Sequence, residues 1–394
     1  MSQAPQRIVL GLMCSVFAVF LVTGAALPAL PLYIHDDLGL STFTVGLVSG
    51  AQFASALLCR LWSGRICDQQ GPKFAVIVGL FLALLSGLIY VLSTTATQDA
   101  RVALAILMLG RVLLGGAESF VMIGAQTWCL ALAGPGNVGR MLAQIGTAMF
   151  VAMALGAPLG SYLFEEFGFL SIGIATSAGA ALVLPLVISR RAIKAPLRVS
   201  ISAKKVLRSV WVPGVAMALS SVGYGIMTAF AVLLFTQRDW HPAWMSFTAF
   251  AVALMVARVF FGALPDRLGG ARTAMIFIVI HSAGLAMIWL AHWSWLAFTG
   301  SAMAGFGYAM VYPSLGMEAV ARAPAEARGL AMGVYTAFID LALGVLAPLL
   351  GLVSNALGLG PVFLIASLLA LCAVPITSWL HSHSPPGNQT PMRR

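Results

Sequence analysis

The sequence predicts an all-α integral membrane protein with twelve transmembrane helices in two parallel six-helix repeats. Three observations predict this class. Of 394 residues, 60% are hydrophobic and only 9% are charged, whereas soluble domains carry roughly 25% charged residues. The apolar residues form long runs, and one charged loop motif occurs once in each half of the chain. This composition excludes a soluble enzyme, a disordered tail and a nucleic-acid-binding module, so no nucleic-acid partner is expected.

Each predicted span is an apolar window bounded by charges or by Gly and Pro clusters. A span needs about 20 apolar residues, and lipid-exposed backbone must be satisfied within helices, which argues against strands. The first run follows Arg7 and is longer than a usual signal-peptide core, so it is interpreted as a span. The windows are residues 8–32, 43–62, 74–93, 102–131, 141–163, 170–188, 210–235, 243–264, 273–291, 295–320, 329–355 and 361–380.

The distribution of Lys and Arg predicts the orientation. Nineteen of the 22 basic residues lie on the side of both predicted termini, whereas Arg101 and Arg238 lie on the other side and Arg111 lies inside the fourth span. Because basic residues accumulate on the cytosolic side, both termini are expected in the cytosol of a cell (inner) membrane. The net charge of +10 is then an insertion signal rather than a polyanion site.

The longest polar stretch divides the chain at its midpoint. Residues 189–208 hold seven basic residues and no acid. The predicted domains are an N-terminal six-helix bundle at 1–188, a basic cytosolic linker at 189–209, a C-terminal six-helix bundle at 210–380 and a cytosolic tail at 381–394. The five cysteines form no CxxC pair, and no common catalytic motif is present, so we expect no metal, no cofactor and no enzyme.

A loop motif repeats between the halves. Arg60-x3-Gly64-x3-Asp68-x2-Gly71 recurs 198 residues later as Arg258-x3-Gly262-x3-Asp266-x2-Gly269. Weaker pairs are Gly115 with Gly305, and Ala157-Pro158 with Ala347-Pro348. Two such repeats, rocking about a midplane site, are typical of an alternating-access carrier.

The repeated loop is the candidate cytosolic gate. Its glycines allow close helix approach, and its carboxylates could dock on a positive helix N-terminus as a breakable latch. The alternative is a tight turn with ordinary solvated charges. The gate candidates are Gly64, Arg65, Asp68, Gly71, Lys73, Gly262, Asp266, Arg267 and Gly269.

Several segments resemble the major facilitator superfamily. Gly64–Lys73 and Gly262–Gly269 resemble its signature loop, and Arg111–Gly115 resembles its Arg-x3-Gly motif. Gly156–Gly160 is similar to the Gly-Pro signature of the drug–proton antiporter branch, although Ala157 separates Gly156 from Pro158. Gly115–Ser119, Leu264–Gly270 and Asp340–Gly344 look most similar to the bacterial YfcJ/YhhS group of this family. The resemblance implies the major facilitator fold and an inner-membrane, efflux-like carrier.

Four charged or titratable residues lie deep within predicted spans, where a central Arg or Asp costs about 2.5–3.5 kcal/mol. Glu118 is the candidate proton site, since its neutral form is favoured by burial and its charged form by a cation or an aqueous opening; a structural Glu is the alternative. Asp340 is either a second proton site or a hydrogen-bonding group. Arg111 either holds the fourth span to the first or fifth, or serves substrate binding or coupling. His281 is expected to make a structural hydrogen bond.

The first and fourth spans of each half are interrupted by small or helix-breaking residues, as expected where helices bend around a site. Examples are Thr23-Gly24, Gly115-Gly116, Ser220-Ser221 and Gly305. Polar and aromatic residues on or near these spans are candidates for substrate binding or coupling, with packing as the alternative. These candidates are Gln52, Gln126, Tyr224, Tyr308 and Tyr335, and the helix-bending candidates are Gly156, Pro158, Gly160, Pro348 and Gly351.

These observations favour a secondary active transporter that exports small organic molecules, a drug or a metabolite, in exchange for protons. The alternative is a proton symporter or uniporter that imports a small organic anion. The expected partners are a small-molecule substrate, protons and the lipid bilayer, and the expected oligomeric state is a monomer.

Overall fold

The computed structural model describes residues 3–96, 98–132, 138–192, 203–324 and 328–383. Within these ranges the chain forms α-helices joined by short turns, one π-helical turn at Tyr33–Asp37, and no strand. The helices group into two compact units, Met1–Arg198 and Val199–Arg394. The unit boundary falls inside the predicted linker, whose residues 193–202 lie outside the described residues, as do tail residues 384–394.

The first unit contains six long helices, one for each of the first six predicted spans. Helix α1 packs against α5, α2 packs against α4, and α3 contacts both α4 and α6. The helices are α1 (Gln3–Leu32), α2 (Thr42–Gln70), α3 (Pro72–Thr95), α4 (Ala100–Leu132), α5 (Val138–Phe167) and α6 (Phe169–Ile188).

The second unit repeats this packing with more interruptions. Helix α13 packs against α7, α9 packs against α12, and α11 contacts both α12 and α14. The seventh predicted span is broken at Phe230 and the twelfth at Cys372. The helices are α7 (Ala203–Ala229), α8 (Ala231–Gln237), α9 (Met245–Phe261), α10 (Leu264–Leu268), α11 (Gly270–Leu290), α12 (Ser294–Arg322), α13 (Arg328–Leu357), α14 (Leu359–Leu371) and α15 (Ala373–Ser382).

The predicted all-α membrane architecture is confirmed. Among the described residues, ten helical segments are long and apolar enough to cross a membrane. The two remaining predicted spans are α9, an apolar helix of 17 residues, and α12, a helix of 29 residues. At about 1.5 Å per residue, α12 exceeds the roughly 30 Å of a bilayer core and α9 falls short of it.

The repeated loop motif builds the same turn twice. Gly71 lies between α2 and α3 with φ +92°, and Gly269 lies between α10 and α11 with φ +87°. Each glycine donates its N–H to the carbonyl four residues earlier, on Cys67 or Pro265. Residues other than Gly rarely adopt this backbone conformation. The turn therefore requires the glycine of the motif.

Candidate functional site

A buried carboxylate in the first unit joins three helices. Oε1 of Glu118 on α4 accepts hydrogen bonds from the Thr23 hydroxyl on α1 over 2.6 Å and from Nε2 of Gln52 on α2 over 2.7 Å. Oε1 of Gln52 has no partner among the described residues. We call Thr23, Gln52 and Glu118 the first polar junction. Sequence analysis predicted Glu118 and Gln52 but missed Thr23.

Close packing of the α2 and α4 backbones holds the first polar junction together. Gly115 lies one turn before Glu118 on α4, and a Cβ at Gly115 would collide with the backbone oxygen of Gln52. Ser55 of α2 also donates to the Val112 carbonyl of α4 over 2.6 Å. Small residues of this kind let helices approach closely in a membrane, and the approach brings the Gln52 amide to the carboxylate.

The Thr23 hydroxyl has two acceptors within reach. Its oxygen lies 3.0 Å from the Val19 carbonyl oxygen, one turn earlier on α1, and 2.6 Å from Oε1 of Glu118. A hydroxyl carries one hydrogen but can also accept. The Thr23 hydroxyl can therefore donate to an ionised Glu118, or accept from a protonated Glu118 while it donates to Val19.

The second unit contains a corresponding junction, in which a tyrosine hydroxyl takes the place of the Glu118 carboxylate. The Tyr308 hydroxyl on α12 donates to the Ser221 hydroxyl on α7 over 3.3 Å, and Ser221 donates to the Met217 carbonyl over 2.7 Å. A Cβ at Gly305 would collide with the backbone of Phe250 on α9. We call Ser221, Phe250 and Tyr308 the second junction.

The two junctions occupy equivalent positions of the internal repeat. Thr23 and Gln52 correspond to Ser221 and Phe250 at the spacing of 198 residues found for the loop motif, and Val19 corresponds to Met217. Glu118 and Gly115 correspond to Tyr308 and Gly305 at a spacing of 190. The spacing falls because α11, the turn after it and the part of α12 before Tyr308 are together shorter than the matching parts of the first unit. Tyr308 thus holds the position that Glu118 holds in the first unit.

Aromatic rings surround the second junction. Tyr224 stacks on Tyr308 with centroids 5.4 Å apart and planes 7° apart, and Phe250 packs against both rings. Buried Tyr335 donates its hydroxyl to the Tyr312 carbonyl over 2.9 Å. These contacts bring the predicted residues Tyr224 and Tyr308 together. Tyr335, which is on α13, makes a separate contact with Tyr312.

Two candidates remain to be placed. Asp340 is a buried residue of α13, and its charge interacts with the Tyr308 hydroxyl of the second junction. Gln126 is half-buried near the end of α4, and the described contacts do not join it to either junction. The roles predicted for both residues stay predictions.

Arg111 is fully buried on α4, two turns before Glu118. Its Nη1 donates to the Tyr90 hydroxyl of α3 over 3.5 Å, and its Nε has no partner among the described residues. The structural alternative expected the first or fifth span as its partner, whereas the described partner lies on the third. The side chain of Tyr90 also fills the space beside Gly110.

His281 makes the structural hydrogen bond that sequence analysis favoured. Its Nδ1 lies 2.7 Å from the Ala304 carbonyl oxygen, so the ring links α11 to α12. Gly223 leaves the room that the ring occupies, since a Cβ there would collide with Nε2 of His281, and Gly307 lets α12 approach the backbone of His281 closely. The ring is fully buried, as a packing role requires.

The loop candidates lie at the helix ends. Arg65, Asp68, Asp266 and Arg267 are exposed, and Gly64 is half-buried. The latch predicted for Asp68 and Asp266 stays a prediction. Lys73 has a different described contact: Nζ donates to the Ile188 and Arg190 carbonyls over 2.7 and 2.6 Å. It therefore caps the C-terminal end of α6 from the start of α3.

Sequence analysis missed a buried carboxylate at a helix N-terminus. Glu318 on α12 is 2% exposed, accepts from the Ala271 N–H at the start of α11 over 3.1 Å, and pairs with Arg322. Nη2 of Arg322 in turn donates to the Leu380 carbonyl of α15 over 3.1 Å. The sequence signal was a Glu four residues before an Arg at the end of the tenth span.

The α5 signature packs against α1. A Cβ at Gly156 would collide with the backbone of Leu21, and one at Gly160 with the backbone of Ala25. Pro158 lies inside α5 and Pro348 inside α13, where Gly351 accepts from the Ser354 hydroxyl. The glycines therefore permit close helix approach, and the bends predicted at the prolines stay predictions.

Comparisons with known proteins agree with this fold. The family description "Major Facilitator Superfamily" matches residues 12–317 and 215–393. The "uncharacterized MFS-type transporter" STM4428 of Salmonella typhimurium is 36% identical over 93% of this chain and 94% of its own. YhhS of Escherichia coli, described in the same words, is 35% identical over 94% and 91%.

Solved structures share the fold at low sequence identity. The nucleoside transporter NupG aligns with a TM-score of 0.75 at 12% identity, over 95% of this chain and 99% of its own. An auto-inhibited peptide transporter of the POT family aligns with a TM-score of 0.75 at 10% identity, over 97% and 98%.

Proposed function

The chain belongs to the Major Facilitator Superfamily and is a multi-pass membrane transporter rather than an enzyme, and we propose that it exports small organic molecules in exchange for protons. The proposed mechanism is alternating access in the inner membrane, with both termini in the cytosol. We also propose that the protein is a monomer whose partners are one small-molecule substrate, protons and the surrounding lipid.

The first polar junction is the observation that carries the proposal. Thr23 and Gln52 both donate to one oxygen of the buried Glu118, and donors of this kind stabilise an ionised carboxylate. The acceptor needed by a protonated carboxyl group is also present, because the Thr23 hydroxyl can accept while it donates to the Val19 carbonyl oxygen. The junction therefore supports both protonation states, as a coupling site must.

The Thr23 hydroxyl connects the protonation state to helix α1. When Glu118 is ionised, the hydroxyl donates to it. When Glu118 is protonated, the hydroxyl accepts from it and donates to the Val19 carbonyl oxygen at 3.0 Å. Each proton bound or released thus changes the hydrogen bond within α1, and we propose that this change biases the outward and inward states.

The second unit is proposed to supply most of the substrate contacts. The stacked Tyr224 and Tyr308 rings form a largely buried aromatic cluster with Phe250, and Tyr335 is a further candidate contact. Asp340 is proposed as a second proton site. A membrane potential adds about 2.3 kcal/mol per charge per 100 mV, so net movement of one proton per cycle provides useful driving force.

A flux measurement tests the proposal. Purified protein is first screened for thermal stabilisation by nucleosides, sugars, aromatic amino acids and cationic dyes, because bound ligands stabilise the folded state. Proteoliposomes containing a pH indicator then report proton movement when the best ligand is added under a pH gradient. Glu118→Gln is expected to abolish the ligand-dependent proton flux, and the control Glu166→Gln at an exposed outer position is expected to retain it.

Import of a small organic anion is the second candidate, and buried Arg111 favours it. The Nε of Arg111 has no partner among the described residues, and a carboxylate or phosphate would supply an acceptor. Cells expressing the protein distinguish the two directions. Net accumulation that is lost in Arg111→Gln would support import, whereas net extrusion that is lost in Glu118→Gln supports export.

A further inference from the structure

An apolar groove lies on the surface of the second unit between α7 and α15. It has a volume of about 380 Å³. Its lining residues are Trp211, Val212 and Val215 of α7, and Pro375, Ile376 and Trp379 of α15. No polar side chain lines it, and none of these residues belongs to either junction or to the repeated loop.

The two tryptophans lie at the end of the groove that is nearer to the helix ends. Trp211 is in the third turn of α7 and Trp379 is in the last turn of α15. They are 53% and 48% exposed, so large parts of both rings are open to the surroundings. Trp residues are enriched where lipid headgroups meet acyl chains, so the groove runs inward from the headgroup level.

A basic side chain precedes the groove on the same helix face. Arg208 is exposed and lies three, four and seven residues before Trp211, Val212 and Val215, the spacing of one face of a helix. Neither α7 nor α15 contains an Asp or Glu. Arg322 also reaches the end of α15, but its charge is paired with Glu318. Within the described residues, Arg208 therefore provides a positive charge with no acidic partner on α7 or α15 beside the apolar groove.

The groove is apolar below its two tryptophans and has a cation above them. One class of ligand has a matching combination of an apolar chain and an anionic group. We propose that the groove binds an anionic phospholipid, with an acyl chain between Trp211 and Trp379 and the phosphate at Arg208. Basic sites between membrane helices on the cytoplasmic side recognise anionic headgroups. With the predicted orientation, this lipid lies in the cytoplasmic leaflet.

Native mass spectrometry of the purified full-length protein tests this proposal. The protein in detergent is incubated with equal amounts of phosphatidylglycerol and phosphatidylcholine that carry identical chains. The wild type is expected to retain phosphatidylglycerol in preference. Arg208→Gln is expected to lower this preference about fivefold, the effect of one basic residue near an anionic surface. The matched control Arg272→Gln, at an exposed position on α11, is expected to keep the preference.

A second pair of variants tests the groove itself. Trp211→Leu combined with Trp379→Leu is expected to reduce bound phosphatidylglycerol, whereas Trp293→Leu at an exposed tryptophan outside the groove is not. Equal retention of the two lipids by the wild type, or an unchanged preference in Arg208→Gln, would overturn the proposal. So would a dimer that the paired tryptophan variant dissociates, since the groove would then bind a second copy of the chain.

Discussion

Glu118 in the first unit and Tyr308 in the second lie at equivalent positions of the repeat, and each forms a hydrogen bond with a hydroxyl of the unit's first helix. The Tyr308 hydroxyl donates to Ser221, which donates to Met217. Glu118 can copy this arrangement only when it is protonated, and it reverses the first hydrogen bond when it is ionised. The second junction thus resembles the protonated form of the first.

The comparison separates what the repeat shares from what it does not. Both units keep a glycine one turn before the key residue, Gly115 or Gly305, and each glycine lies against the backbone of a neighbouring helix. The packing is therefore common to both halves. The neighbouring side chain differs: Gln52 supplies an amide to the first junction, and Phe250 supplies an aromatic ring to the second.

The largest expected effect comes from replacing Glu118, and for comparison Tyr308, with its nearest isostere. Glu118→Gln is expected to lower pH-gradient-driven transport about 100-fold, because a group that cannot ionise loses both the charge and the driving force. Substrate counterflow, which needs no net proton movement, should survive. Tyr308→Phe removes only one hydroxyl and should lower transport less than fivefold. Equal losses in the two variants would contradict the division of roles.

The shared packing predicts the next effect, which is on stability. Gly115→Ala and Gly305→Ala are each expected to lower the free energy of unfolding by about 2 kcal/mol, because the added Cβ collides with backbone. Gly146→Ala is the matched control, since a Cβ there meets nothing within 4 Å. Reversible unfolding in SDS measures the difference. A loss in only one of the two units would break the structural equivalence.

The helix ends of the two units are tied by different residues, and this difference predicts a smaller effect. Glu318→Gln is expected to cost about 1.5 kcal/mol, because Arg322 loses its charged partner. Lys73→Met removes the two described bonds from an exposed or part-buried site and should cost less, about 0.5–1 kcal/mol. Thermal unfolding of the two variants side by side provides the ranking, and the reverse order would contradict it.

The Thr23 hydroxyl predicts the smallest change and the most specific one. Thr23→Val removes the donor to ionised Glu118 and the acceptor for protonated Glu118, so the balance between the two forms should change. The midpoint of the pH profile for transport is expected to move by less than one unit. Thr23→Ser retains the hydroxyl and should restore the wild-type profile. A shifted profile in Thr23→Ser would assign the effect to packing instead.

Much of the fold was predictable from local patterns. Span length, the repeat of Arg60–Gly71 at Arg258–Gly269, and the depth of Glu118 all appear in the sequence, because each depends on nearby residues. The contact of Thr23 with Glu118 joins residues 95 positions apart and depends on how α1 and α4 are rotated. Hydropathy does not encode that rotation in helices that are apolar on most faces.

The missed residues follow the same rule. Ser221 and Thr23 looked like helix interruptions, and their correspondence becomes visible only once the repeat is extended at a spacing of 198. Glu318 looked like an ordinary residue at a helix end, whereas it caps the N-terminus of α11, the helix before it in the chain. The carboxylates that the sequence predicts at helix N-termini are Asp68 and Asp266, and their latch stays a prediction.

Infrared difference spectroscopy tests the central claim, that Glu118 gains and loses a proton during the transport cycle. Spectra of the wild type recorded as the pH changes should contain a carbonyl band from a protonated carboxyl group. This band should lose most of its intensity in Glu118→Gln and keep it in Tyr308→Phe, with any remainder assigned by Asp340→Asn. An undiminished band in Glu118→Gln would contradict the account.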